Sequence, residues 1–184
     1  SFVIHIFVFN ELWDYILQGK SVIGYTKSEL IWYIIVAEFI IYSFETTYKK
    51  IATMVKQGDI ANMLIKPIDV ITYFFVEASA NIVRITVNAI FGIILGILFA
   101  GPIDISFSTV LFTIIASIIG IFTGVLLQIL IGILAFFTEE NKSFWLVTQK
   151  IIFFVVFTPL EFYPEVVQKI LLCMPTTYMV YAPA

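Results

Sequence analysis

From Ile85 to Thr138 the chain runs 54 residues with one charged side chain, Asp104, and that one sits beside Gly101-Pro102. Such a stretch is no soluble core. It has the length of two bilayer-crossing helices joined by a tight turn, since about 20 apolar residues cross roughly 30 Å of hydrocarbon. Hydrocarbon offers no water to backbone amides, so each crossing must be a complete helix. The sequence therefore predicts an all-α, polytopic transmembrane helix bundle. The function classes left open are transporters, channels, intramembrane enzymes and membrane scaffolds.

Composition excludes other classes. The chain is 61% hydrophobic and only 12% charged, against about 25% charged in soluble domains. No basic run exceeds Lys49-Lys50, so there is no electrostatic footprint for nucleic acid. The single cysteine, Cys173, cannot form an internal disulfide and is expected to be a buried, inert thiol.

The whole chain, 1–184, reads as one transmembrane domain. It begins without a methionine and ends without a polar tail, as expected of a segment of a longer protein, with 1–9 the end of a first span. Thr26-Lys27-Ser28-Glu29 fits a capping box and opens a span over 28–48. The helix is expected to continue past the membrane into a polar elbow, 49–69. There Gly58 is the helix stop, Asp59 a new N-cap, and Pro67 turns the chain by biasing Lys66 away from the helical region. Asp69 is expected to cap a long helix over 70–100, and another follows over 106–137. A shorter apolar helix, 143–160, meets Pro159. Pro164 and Pro175 then divide 161–184 into short apolar pieces, expected to be re-entrant rather than spanning.

Lysine and arginine placement sets the orientation. Lys49, Lys50, Lys56, Lys66, Lys142 and Lys150, with Arg84 nearby, collect at one face; Lys20, Lys27 and Lys169 lie at the other. The richer face is expected to be cytoplasmic, which puts the elbow inside and 161–184 outside. Asn141-Lys142-Ser143 matches a glycosylation sequon, but this topology makes the match a coincidence.

Polar residues inside the apolar spans are the candidates for chemistry. Glu77, Asn81, Arg84 and Asn88 recur at spacings of four, three and four, which is one face of a helix. A charge at mid-bilayer costs about 2.5–3.5 kcal/mol. Three placements are open to this stripe: lining a substrate path, pairing with Glu38 or Glu45 of the preceding span, or lying at the inner headgroup level, where Arg84 would snorkel to phosphates. Glu38 lies deep in its span, as a functional carboxylate or as a protonated glutamate hydrogen-bonded between helices. Lys150 can snorkel to the inner surface.

Gly92 with Gly96, and Gly120 with Gly124, are small-xxx-small pairs. Gly132 continues the second face, with Gln128 between them. These glycines are expected to pack the bundle internally. Phe144, Trp145, Tyr163 and Tyr178 suit interfacial aromatic belts.

Enzyme signatures are absent. The only histidine is His5, at the start of the chain, so no paired-histidine metal site exists, and there is neither a GxSxG elbow nor a GxxxxGK[ST] phosphate loop. No cofactor or metal is expected.

Three stretches carry a family resemblance: Gln57 to Pro67, with its glycine, Leu64, basic Lys66 and proline; Pro159 to Pro164; and Met174-Pro175 to Pro183-Ala184. In these the chain resembles the permease subunit of the type-2 ABC exporter class, in its uncharacterised multidrug or antibiotic exporter-like subgroup. The resemblance implies a six-span permease that moves an amphiphilic or hydrophobic substrate out of the cell, in the bacterial cytoplasmic membrane. It also implies a separate ABC ATPase subunit that hydrolyses ATP, and a second permease copy as homo- or heterodimer in membrane lipid. The coupling helix falls on Ile51 to Lys66, making Lys56, Gly58, Asp59, Leu64, Lys66 and Pro67 the elbow residues. The extracellular re-entrant helices fall on Phe162 to Ala184. Two other classes remain: a non-transporting scaffold or assembly factor, and an ion-coupled carrier using Glu38.

Overall fold

A computed structural model describes residues 2–18, 21–43, 46–80, 82–102, 105–138 and 141–184, apart from the side chains of Phe2, Ala78, Ser79, Ile82 and Val83. Lys20, Glu45, Asn81 and Asp104, named above, lie outside the described residues. Among those described, all regular elements are helical, beside one isolated antiparallel bridge between Val22 and Tyr25.

The first helix, α1 (Phe2–Leu17), continues well past Phe9. The expectation that the helix ends there is corrected. Its buried stripe does not stop at the apolar run: Ile6, Trp13 and Leu17 recur at helical spacing and pack on the next helix, while Asp14 pairs with Lys27 at 2.8 Å. That next helix, α2 (Lys27–Tyr42), starts with the predicted capping box. The Glu29 amide donates to the Thr26 hydroxyl oxygen at 3.3 Å and the Thr26 amide to the Glu29 carboxylate at 2.7 Å.

The region 49–69 resolves into α3 (Thr47–Gln57) and the short α4 (Ile60–Leu64). Then α5 (Val70–Ser79), capped by the Asp69 carboxylate on the Thr72 amide at 2.9 Å, and α6 (Ile82–Phe99) occupy the stretch expected as one helix. The long α7 (Phe107–Ile133), capped by Ser106, is followed by one turn, α8 (Ala135–Thr138), and by α9 (Lys142–Phe157). A 3-10 turn at Leu160–Phe162, α10 (Glu165–Leu172) and α11 (Pro175–Val180) complete the chain.

Two runs, Lys27–Gln57 and Phe107–Thr138, are long and apolar enough to cross a bilayer. Only 28% of the apolar window in the second is buried inside the protein. A soluble core helix of that hydropathy would be largely covered; here Phe112, Ile119 and Leu130 face outward, as a lipid-facing helix requires.

The helices α2 and α6 run antiparallel, and each closes the other's end. At one end the Ser28 hydroxyl donates to the Ala100 carbonyl and the Trp32 indole N–H to the Gly101 carbonyl at 3.1 Å. At the other, Arg84 and Asn88 of α6 donate to the last carbonyls of α2. Helix C-termini leave such carbonyls without intrahelical partners, and in lipid no water can serve them.

The segment after Pro159 is wedged into the bundle. Met179 and Val180 of α11 are fully buried among Ala37, Ile152 and Val156. Gly120 permits this approach, since a Cβ there would lie 2.3 Å from the Met179 carbonyl oxygen. Above it, Trp13 and Tyr25 pack on Phe162, and the Tyr181 hydroxyl donates to the Glu161 carboxylate. Burial and the Glu161 carboxylate push the Tyr25 phenol up from its ordinary value.

Candidate functional site

The elbow is built from a helix stop and a rooted tip. Lys49, Lys50, Lys56 and Gln57 are on the exposed side of α3, whereas Ile51 and Ala52 are buried. Gly58 ends the helix at φ +78 with its amide on the Val55 carbonyl at 3.2 Å. This left-handed conformation strains residues with a Cβ. Asp59 does not cap α4 as expected: its backbone is helical and its side chain makes no capping bond. A cap needs an extended backbone for its carboxylate to reach back to the first-turn amides.

Beyond Gly58, Ile60 and Met63 point inward. Met63 joins Ile51 of α3, Phe74 of α5, and Val125 and Ile129 of α7 in one apolar cluster. Leu64, Ile65 and Ile68 point outward at 66%, 84% and 54% exposure, around the exposed Lys66 and Pro67. The elbow thus offers an apolar, basic tip whose root is packed into three helices.

The polar stripe lies beside the elbow, against the α2–α3 junction. Glu77 forms an ion pair with Lys50 of α3. Arg84 Nη2 donates to the Ser43 carbonyl at 3.0 Å and Asn88 Nδ2 to the Tyr42 carbonyl at 3.1 Å. Of the two carboxylates open to the stripe as partners, Glu38 meets His5 of α1 instead, and Glu45 lies outside the described residues. Thr46, Thr47, Lys50, Glu77 and Arg84 line a cavity of about 240 Å³.

Glu38 is 3% exposed; its Oε1 contacts His5 Nδ1, and its Oε2 has no hydrogen-bond partner among the described residues. Gln128, 2% exposed on α7, likewise has an unpartnered Oε1. Gly92, Gly96, Gly120, Gly124 and Gly132 are all buried. Added Cβ atoms would meet the Trp32 ring at Gly96 and Ile51 at Gly132, so these two admit close α2–α6 and α3–α7 packing.

Several residues take roles other than those expected. Cys173 is exposed, not buried, because it caps the amphipathic surface helix α10. Asn141 is buried and donates to the carbonyls of Tyr48 at 3.2 Å and Ile131 at 3.1 Å, so the sequon has no accessible acceptor. Trp145 stacks on Tyr48 with centroids 4.9 Å apart, and the Tyr163 hydroxyl donates to the Phe154 carbonyl at 2.6 Å; Phe144 and Tyr178 remain exposed. Sequence reasoning missed His5, Lys50 and Asn141 as partners, because these contacts join residues 33, 27 and 93 positions apart.

The outward-facing apolar helices of the bundle are those of a membrane protein. A family model described as ABC-2 family transporter protein matches residues 2–184, and the chain belongs to that family. It is an ABC-2 type permease, a membrane transport component; permeases of this family typically work with an ATPase partner. Comparison with curated proteins and with solved structures finds no match.

Proposed function

We propose that the chain is the permease subunit of an ATP-driven exporter, moved by a separate ATPase that docks on the elbow from the cytoplasm. The observation that carries this reading is the tip formed by Leu64, Ile65, Lys66 and Ile68. Exposed apolar clusters mark interaction surfaces, and Met63 ties this one to α3, α5 and α7. A push on the tip is therefore transmitted to the spans carrying Glu38 and the Glu77–Asn88 stripe. Two permeases with two ATPases would alternate access and export an amphiphilic or hydrophobic substrate from the cytoplasmic side of a bacterial membrane.

The test is copurification of the full permease with its cognate ATPase, together with substrate-stimulated ATP hydrolysis. Ile65→Asp should abolish copurification, and Gly58→Val should leave insertion intact while uncoupling hydrolysis from export. Normal copurification and export by both variants would remove the elbow from the mechanism. A cysteine at the exposed Asn62 should be protected from impermeant reagents in intact cells.

A second reading is favoured by one contact, the buried Glu38 carboxylate against His5: an ion-coupled carrier with Glu38 as its proton site. Transport that follows a proton gradient and is lost on Glu38→Gln, with no ATPase required, selects it over the exporter.

A further inference from the structure

Resting on the docking reading above, we propose that the ATPase surface receiving the elbow is an apolar socket that holds a carboxylate, and that this carboxylate pairs with Lys66.

Lys66 stands in the middle of the tip. Leu64 and Ile65 precede it, Pro67 and Ile68 follow, and all five are exposed. The backbone holds the lysine in place from both sides. Its amide donates to the Met63 carbonyl at 3.0 Å; after it, Pro67 has a ring-fixed φ, and the Asp69 carboxylate accepts from the Thr72 amide at 2.9 Å and the Thr72 hydroxyl at 3.1 Å. Asp69 is thus engaged as a cap, and Asp59, the other acidic residue of the elbow, makes no ion pair. Among the described residues the Lys66 ammonium has neither an ion pair nor a hydrogen bond.

Lipid is not what covers this tip. The run Lys27–Gln57 has 31 residues, about 46 Å at the helical rise, and the returning leg from Val70 to Phe99 measures about 45 Å. Hydrocarbon is roughly 30 Å thick, and the headgroups add about 5–8 Å on each side. With the Thr26 cap and the Gly101 turn at the outer boundary of the hydrocarbon, the inner ends of both legs pass its other boundary by about 15 Å, or about 12 Å at a tilt of about 20°. The tip lies beyond those ends, past the phosphates, so its apolar side chains await a protein.

Docking covers the apolar residues on either side of Lys66 and takes the ammonium out of water with them. A charge buried without an opposite charge opposes binding. A carboxylate in the socket reverses this, because the pair then fixes the register of the docked elbow and excludes partners that lack it. Lysine suits the task, since its flexible stem carries a compact point charge to wherever the oxygen lies.

The test measures the affinity of the ATPase that copurifies with the wild-type full permease for that permease in nanodiscs, at low and at high salt. Lys66→Met keeps the stem and removes the charge; it should weaken binding at least tenfold, because the carboxylate is then buried alone, and should make binding less sensitive to salt. Lys66→Arg should stay close to wild type. Lys66→Glu should abolish binding, and exchanging one acidic residue of the ATPase for lysine should restore it. The substituted side chain is exposed, so all three permeases should elute as monodisperse protein. Ile65→Asp reports on docking itself. Loss of binding in Ile65→Asp beside wild-type affinity in Lys66→Met leaves docking standing and refutes the carboxylate; a lysine that reaches the socket rim or serves lipid phosphates gives that result. Failure of every acid-to-lysine exchange to rescue Lys66→Glu overturns the pairing as well. Wild-type binding by both Ile65→Asp and Lys66→Met removes elbow docking, and this inference with it.

Discussion

The Tyr33 hydroxyl of α2 donates to the Val155 carbonyl of α9, the carbonyl that the missing amide of Pro159 leaves without its helical partner. In a bundle without water each proline that ends a helix strands a carbonyl, and here a hydroxyl from elsewhere takes its place. Tyr33→Phe is expected to destabilise the purified protein by about 1 kcal/mol. In a Pro159→Ala background, where a backbone amide is available, the cost should fall below half; equal costs in both backgrounds would show that the hydroxyl is not substituting for the amide.

Gly120 and Met179 set how deeply α11 enters. Because the atom facing Gly120 is a backbone oxygen 2.3 Å from the Cβ position, Gly120→Ala cannot be absorbed by a rotamer change. It should cost about 1–3 kcal/mol and loosen α11. Met179→Cys, 1% exposed in the native packing, should resist alkylation alone and react in the Gly120→Ala background. An inert cysteine in both proteins counts against the wedge.

Asn141 joins α3, α7 and α9 through its two amide bonds. Asn141→Asp replaces both donors with acceptors facing carbonyls, and should cost about 2–3 kcal/mol. Thermal unfolding in detergent reads this directly; a change of midpoint within error refutes it.

For the His5–Glu38 pair the asymmetry of loss is informative. His5→Ala strands a buried carboxylate, whereas Glu38→Gln keeps an acceptor for His5 and removes the ionisable group. The first should cost about 1–3 kcal/mol and the second distinctly less. The reverse order in denaturant titration would mean that His5 does not support Glu38.

Much of the bundle was legible in the residues alone. The Thr26–Glu29 box, the Asp69 cap and the stops at Gly58 and Gly101 were predicted at their observed places. Each depends on groups within three or four positions of one another. The elbow segment was visible as a glycine, a short apolar run and a proline. Its outward tip of Leu64 and Ile65 and its inward anchor at Met63 were not, since all three are apolar and only the packing distinguishes them. The burial of Cys173 was misjudged for the same reason: composition reports hydrophobicity, while exposure depends on which face a helix turns outward.

The chain by itself determined that it lives in lipid, roughly where its helices begin and end, and which family it belongs to, because hydropathy, caps and breakers act locally along the backbone. Only the tertiary structure decided that Glu77 meets Lys50, that Glu38 meets His5, and that Arg84 closes α2. Apolar contact is non-directional and leaves the pairing of helix faces open, so polar partners far apart in sequence become known only once the helices are packed.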